Sequence, residues 1–325
     1  MALIVTATNN NIDLAAKLIK SGKLIAFPTE TVYGLGANAC NSTAVESIFS
    51  LKNRPSFNPL ILHFNSVAMV TEYFNLNNTE LKLAQTFWPG SLTLVLNNFT
   101  SKAKNISALC KGNVNSLAVR IPNNSIALQL IAAAGVPLAA PSANISNHLS
   151  PTAAQHVAQS FKTKKLLVLD GGKSILGIES TVIEIIKENT VNILRAGAIT
   201  KEDFINLGLS LANKPKEKLK SPGLLEKHYS PNTPLRINAT ETYNGEALLA
   251  FGNLTLNQKS CFKNARKILN LSADGNIKEA AANLFSMLWE LDLGNYSGIA
   301  VMPIPNLGIG VAINERLIKA AAKNI

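Results

Sequence analysis

The sequence predicts an α/β protein in which one sizeable mixed sheet flanked by helices is followed by a smaller α/β unit. Three observations lead there. Short β-branched or apolar runs alternate with stretches of helical period along most of the chain. That alternation breaks once, between Leu211 and Pro234, in a run rich in Lys, Pro and Ser that offers little core. A length of 325 residues with 47% hydrophobic content is enough for two domains, each burying its own core. The expected division is a first domain over 1–210, a linker or lid over 211–233 and an accessory domain over 234–325.

In chain order, helical spacing predicts a helix over Asn11–Lys20, followed by an apolar strand over Leu24–Phe27. A second helix is expected over Thr43–Leu51, where Thr43 and Glu46 stand in capping-box spacing. Runs at Leu60–His63, Leu92–Leu96, Leu117–Ile121, Leu166–Leu169, Thr181–Ile185 and Val191–Leu194 read as strands. Between them, helices are expected over Glu80–Phe87, Ser125–Ala134 and Thr152–Gln159, the last with Ser150 as N-cap and Pro151 at the first helical position. Beyond the linker, strands over Ala247–Phe251 and Gly298–Met302 alternate with helices over Ile277–Leu291 and Val311–Ala322.

Composition narrows the function classes. The first residues carry no basic leader or cleavage site, and the longest apolar stretch, Ala127–Pro141, is interrupted and too short to span a bilayer. A cytoplasmic protein without membrane attachment is expected. Cys40, Cys110 and Cys261 are an odd number at wide spacings, which suits neither a disulfide framework nor a zinc site. His63, His148, His156 and His228 lack metal-ligand spacing, so no protein-held metal is expected.

The net charge of +11 favours acidic partners such as nucleotides or RNA. Lys162, Lys164 and Lys165, like Lys214, Lys216, Lys218 and Lys220, read first as solvated surface. Only six of the 31 basic residues are Arg, so each invites a question about fork geometry, which Lys cannot supply to carboxylate or phosphate.

Familiar phosphate motifs fail. Gly171-Gly172-Lys173-Ser174 lacks the earlier Gly of a P-loop, neither Gly-x-Gly pair completes a dinucleotide fingerprint, and there is no Gly-x-Ser-x-Gly elbow. What remains is a series of polar clusters at strand ends, held by Pro or Gly. Phe27–Leu35 runs from a strand through hydroxyls and a carboxylate into an expected Gly turn. Lys52 and Arg54, pinned by prolines before Asn58 and His63, suggest an anion clamp. Alternation places Arg120 on the strand face of Ala118 and Ser116, which suits a pocket wall. Ala140–Asn144, Gly177–Thr181 and Arg195 add hydroxyl, amide and guanidinium groups at further strand edges.

Through FPTETVYGLG, KNRPSFNPL, WPGSLTLVL, AVRIP, APSAN, GIESTV and LRAG in order, then SPGLLEKHYSP, the sequence resembles the threonylcarbamoyl-AMP synthase family in its two-domain form. The resemblance implies a YrdC-like open twisted sheet and a smaller Rossmann-like C-terminal domain. It implies a nucleotidyltransferase that condenses L-threonine, bicarbonate and ATP into threonylcarbamoyl-AMP and pyrophosphate, with Mg2+ accompanying the nucleotide. The product would pass to a threonylcarbamoyl transferase complex for N6-threonylcarbamoyladenosine in tRNA, with weak tRNA contact as a further expectation.

By the same resemblance, Lys52 and Arg54 are the catalytic cations, and Thr31, His63, Arg120, Ala140 and Ser180 line the threonine pocket. Arg120 would take the α-carboxylate through a bidentate pair. Arg54, Asn58, Ser116, Ser142, Asn144, Arg195, Tyr229 and Ser230 would address ATP. The chain departs from the family at Gly223-Leu224-Leu225-Glu226-Lys227 and at Glu315, where Asp is usual. Two rivals stand beside this reading. One is a non-enzymatic RNA-binding or translation-associated factor, favoured by charge but lacking interleaved aromatics for base stacking. The other is a carbamoyl-adenylate step of another pathway, which would change only the threonine pocket.

Overall fold

The computed structural model describes residues 1–112, 114–212 and 228–322. Among them, eleven strands build one mixed sheet: β1 (Ala2–Thr6), β2 (Ile25–Phe27), β3 (Gly34–Asn38), β4 (Ile61–His63), β5 (Leu92–Leu96), β6 (Leu117–Arg120), β7 (Leu138–Ala139), β8 (Leu166–Asp170), β9 (Thr181–Lys187), β10 (Thr190–Arg195) and β11 (Ser210–Leu211). Their spatial order is β1-β8-β2-β3-β7-β4-β6-β5-β9-β10-β11. Parallel and antiparallel pairs mix: β2 runs antiparallel to β3, whereas β4 runs parallel to β6 with His63 opposite Arg120. That register sets two expected site residues side by side.

The helices of this domain are α1 (Asn9–Lys20), α2 (Ser42–Lys52), α3 (Val67–Thr71), α4 (Asn78–Phe87), α5 (Ser125–Ala134), α6 (Ala154–Ser160) and α7 (Lys201–Asn206). One apolar cluster joins α1 and α5 to β2 through Ile12, Ile19, Leu130, Ile131 and Phe27. A larger one joins α2 and α4 to the sheet centre through Val45, Ile48, Leu83, Leu62 and Val119. The second domain is a four-stranded, all-parallel sheet of β12 (Leu235–Arg236), β13 (Ala247–Ala250), β14 (Ile268–Asn270) and β15 (Ile299–Val301), ordered β12-β15-β13-β14. Parallel strands need crossovers, and α8 (Leu256–Cys261), α9 (Ile277–Asp292) and α10 (Ile309–Ala321) follow β13, β14 and β15. Strand β11 closes the first sheet and β12 opens the second, on either side of residues 213–227, which lie outside the described residues.

Local chemistry corrects several expectations. The N-cap of α2 is Asn41, whose Oδ1 accepts from the Ala44 amide at 3.1 Å, so Thr43 lies inside the first turn. Helix α6 starts after Ala153 with no side-chain cap, because the Ser150 hydroxyl is committed to Glu179 instead. Gly34 and Gly36 belong to β3 and not to a turn. A Cβ on Gly36 would stand 2.8 Å from Phe27 Cε1, so the glycine is there to admit that ring. Strands β1, β3, β7, β11, β12 and β14 escape sequence reading: β7, β11, β12 and β14 have only two or three residues, and β3 is built largely of Gly and Ala that carry weak strand preference, whereas β1, Ala-Leu-Ile-Val-Thr, carries an ordinary strand signal.

The two domains share one apolar cluster. Val32, Leu149, Ile178 and Tyr229 from the first domain and its connection pack with Leu284, Phe285, Trp289, Ile313 and Leu317 of the second. At Gly177, φ is +68° and a Cβ would lie 2.5 Å from the Ala282 carbonyl oxygen of α9, so only glycine lets the backbones approach this closely.

Candidate functional site

The ends of β2, β4, β6 and β7, with the start of β9, surround a small pocket lined by hydroxyl, imidazole and guanidinium groups. Its floor forms where β2 gives way to a hydroxyl-rich turn. Thr29 Oγ1 accepts from the amides of Thr31 and Val32, both at 3.2 Å, and donates to the Val32 carbonyl at 2.6 Å. This local bonding replaces strand pairing and turns Thr31 towards Arg120.

Arg120, at the end of β6, is held on three sides. Its Nε donates to the Gly90 carbonyl at 3.1 Å, Nη1 to Thr31 Oγ1 at 2.8 Å, and Nη2 meets Glu30 Oε1 at 2.6 Å. The fork that the resemblance gives to a substrate carboxylate is thus engaged here by Thr31 and Glu30. Beside it, His63 is 4% exposed, and burial followed by the Arg120 charge pulls its pKa down to about 3, so the imidazole is neutral. Ser180 Oγ shares a hydrogen bond with Thr93 Oγ1 at 2.7 Å and accepts from Arg195 Nη2 at 3.0 Å.

The lining also carries Arg54 and Ser142. Helix α2 ends on left-handed Asn53, and the chain then places the Arg54 guanidinium on the carbonyls of Asn58 and Pro59 at 3.2 and 2.8 Å. Burial, then Arg195, lowers the Arg54 pKa to about 9, which leaves it charged at neutral pH. Tyr229 forms part of the enclosure. It is 2% exposed, its φ is +63°, and burial pushes its hydroxyl up to about 12.

The structure therefore brings together Thr31, Arg54, His63, Arg120, Ala140, Ser142, Ser180, Arg195 and Tyr229 around one cavity. It does not bring the other expected residues to that lining. Lys52 is 1% exposed and lies behind it, with Nζ donating to the carbonyls of Ser142 and Asn144, so here it ties down the Ser142–Asn144 loop. Asn144 joins that tie and donates through Nδ2 to the His148 carbonyl at 2.8 Å. Asn58 offers Arg54 its backbone oxygen. Ser116 precedes β6 at the far end from Arg120, about 13 Å along the strand, so sharing a face does not bring it to the pocket. Ser230 pairs with the 147–148 loop through its amide, which donates to the Asn147 carbonyl at 2.7 Å.

Sequence reasoning misses Tyr33, Glu179 and His228, which also line the cavity, and Arg316 behind it. Glu179 is 6% exposed; burial alone would raise its pKa, yet Arg316 and Arg195 hold it below the ordinary value. The scarcity of arginine is the signal that could have found Arg316.

The chain as a whole matches known proteins. A family model described as telomere recombination matches residues 17–197, and one described as threonylcarbamoyl-AMP synthase, C-terminal domain, matches residues 185–322. The chain belongs to the threonylcarbamoyl-AMP synthase family. A threonylcarbamoyl-AMP synthase of Bacillus subtilis is 36% identical over 96% of this chain and 93% of its own length. One from Pyrococcus abyssi is 36% identical over 97% and 95%. The crystal structure of P. abyssi Sua5 complexed with L-threonine superposes with a TM-score of 0.84 at 32% identity, covering 99% of this chain and 97% of that one. Both the YrdC-like sheet and the Rossmann-like second domain are thus those of the synthase family. Among the described residues, no helix is long and apolar enough to cross a membrane.

Proposed function

We infer that this chain condenses L-threonine, bicarbonate and ATP into threonylcarbamoyl-AMP for tRNA modification. One observation carries the inference: Arg54, Arg120 and Arg195 converge with the hydroxyls of Thr31 and Ser180 on a single walled pocket. The three arginines are 9%, 3% and 6% exposed, which suits small anions drawn out of water better than a nucleic-acid backbone on the surface.

The threonine amine adds to bicarbonate with loss of water to give a carbamate. A carbamate oxygen then attacks the α-phosphorus of ATP, forming the mixed anhydride as pyrophosphate leaves. The chain supplies position and charge in place of a nucleophile. Arg120 and Thr31 orient threonine, and neutral His63 can accept its hydroxyl proton on Nε2 if Nδ1, 3.3 Å from the Ile61 oxygen, carries the ring proton. Ala140 and Ser180 bound the space for its methyl and hydroxyl groups. Arg54, Arg195 and Ser142 face the phosphates, Lys52 and Asn144 fix the loop that presents Ser142, and Tyr229 covers the site.

Among the described residues no cluster of carboxylate, His or Cys side chains could hold a metal by itself. Glu30 and Glu179 are committed to arginines. Mg2+ therefore fits as an ion carried by the phosphate oxygens of ATP, where it would neutralise charge on the leaving pyrophosphate. Lys162, Lys164 and Lys165 are exposed and precede β8, at the other end of that strand from the pocket, so a tRNA contact there would be separate from the chemistry. The test is pyrophosphate release with threonine and bicarbonate omitted in turn. Release should need both, because neither alone gives the attacking carbamate; full release without threonine would overturn the reading.

A further inference from the structure

Glu179 and Arg316 meet where the two domains join beside the pocket. Glu179 lines the cavity just before Ser180; its Oε1 accepts from the Ser150 hydroxyl and its Oε2 from Arg316 Nε at 3.0 Å. Arg316 projects from α10 of the second domain, is 2% exposed, and donates through Nη1 to the Ala196 carbonyl at 2.6 Å. Further contacts between the two domains flank it. Trp289 Nε1 donates to the Ser150 carbonyl at 3.1 Å, its ring stacks on His156 at 5.1 Å, and Gly177 abuts α9.

A second cation lies in the field of Glu179. Arg195 donates through Nε and Nη2 to the carbonyl and hydroxyl of Ser180, both at 3.0 Å, and it is coupled electrostatically to Glu179. A carboxylate buried this deeply keeps its charge only against a cation. The choice between the two arginines matters. Paired with Arg316, Glu179 leaves Arg195 on Ser180 at the cavity; paired with Arg195, it would draw that guanidinium off Ser180 and cancel its charge.

We propose that Arg316 is a positioning residue for the nucleotide half of the pocket: by engaging Glu179 from the second domain, it keeps the Arg195 guanidinium on Ser180 and its charge turned to the phosphates. The second domain then completes the site with a charge, although it contributes no side chain to the pocket lining among the described residues. The identity of the ligand as ATP rests on the function proposed above.

The test compares the full chain with Arg316→Met, Arg316→Lys and the double variant Glu179→Gln/Arg316→Met, titrating each by calorimetry with ATP and separately with L-threonine. Arg316→Met is expected to weaken ATP binding about tenfold, equivalent to about 1.4 kcal/mol, and L-threonine binding much less. The double variant should regain most of the lost ATP affinity, because no carboxylate remains to capture Arg195, and Arg316→Lys should fall between wild type and Arg316→Met. Unchanged ATP binding in Arg316→Met overturns the proposal. So does equal weakening of both ligands that the second substitution does not relieve, the pattern of a damaged domain interface, which a lowered unfolding midpoint would accompany. Threonylcarbamoyl-AMP synthesis by the wild type, measured in parallel, tests the proposed function itself; coupling between the two substitutions is read in ATP affinity whether or not that product forms.

Discussion

Glu30 and Arg120, the latter lining the pocket, form an ion pair at 2.6 Å, where they are 4% and 3% exposed. Each would be strongly disfavoured there alone, since a buried charge without a partner costs several kcal/mol. The pair delivers Arg120 to the cavity already oriented, with Thr31 and Gly90 fixing the rest of its fork.

Glu30→Gln removes the countercharge and keeps the shape. It is expected to lower folding stability by about 3 kcal/mol, because Arg120 is left buried and uncompensated. Saturating L-threonine should then raise the unfolding midpoint more in the variant than in the wild type, since the substrate carboxylate would replace the lost charge. Equal threonine-induced shifts in urea or thermal unfolding would take Arg120 out of the threonine site.

Arg120→Lys tests geometry in place of charge. An ammonium cannot hold Thr31, Glu30 and a substrate carboxylate at once, so the threonine concentration needed for half-maximal pyrophosphate release should rise by about tenfold or more. The ATP requirement should change far less. A steady-state matrix of both substrates reads this directly, and parallel losses would count against the assignment.

The division between what was legible in the sequence and what was not follows from how each residue acts. Arg120, Arg195, Thr31 and Ser180 stand at strand ends and Arg54 at a helix end, all in Pro- and Gly-held motifs, so their convergence can be anticipated from order along the chain. Lys52 reads as a phosphate cation from its spacing to Arg54, but spacing cannot show that its Nζ is taken by the backbone oxygens of Ser142 and Asn144. Glu30 and Glu179 look like ordinary carboxylates until their partners appear from β6 and α10, 90 and 137 residues further along. Likewise β7, with two residues, is defined by its neighbours β3 and β4 and not by its own pattern.

Three buried histidines give the fold a pH limit. Burial, with Arg120 for His63, Lys173 for His156 and Arg54 for His228, lowers their pKa values from 6.5, to about 3 for His63 and about 4 for His156. Each stays neutral in the fold while its unfolded counterpart takes up a proton, so stability is lost as pH falls below 6.5. The loss should approach about 1.4 kcal/mol per pH unit for each histidine. Urea unfolding at pH 7, 6 and 5 should show this slope, and His156→Gln should reduce it by one histidine's share. A flat profile over that range would mean that these rings protonate in the folded state.

The last expectation concerns Tyr229. Its ring packs 5.6 Å from Phe285 of α9 and 3.9 Å from His228, while the Ser230 amide anchors the segment to the Asn147 carbonyl. A non-glycine residue held at φ +63° stores backbone strain, which the cavity contact and the apolar cluster of both domains must offset. Such a covering suits a product whose carbamoyl–phosphate anhydride water would destroy. The linker or lid expected over 211–233 falls partly on residues 213–227, outside the described residues, but its His228 and Tyr229 line the pocket here. Tyr229→Ala should therefore still release pyrophosphate while accumulating less threonylcarbamoyl-AMP per pyrophosphate than the wild type. Hydrogen exchange across 228–231 should slow when ATP and threonine bind, and faster exchange in the variant should track its product loss. If the variant keeps full product yield and the segment exchanges equally with and without substrates, Tyr229 serves only to join the two domains.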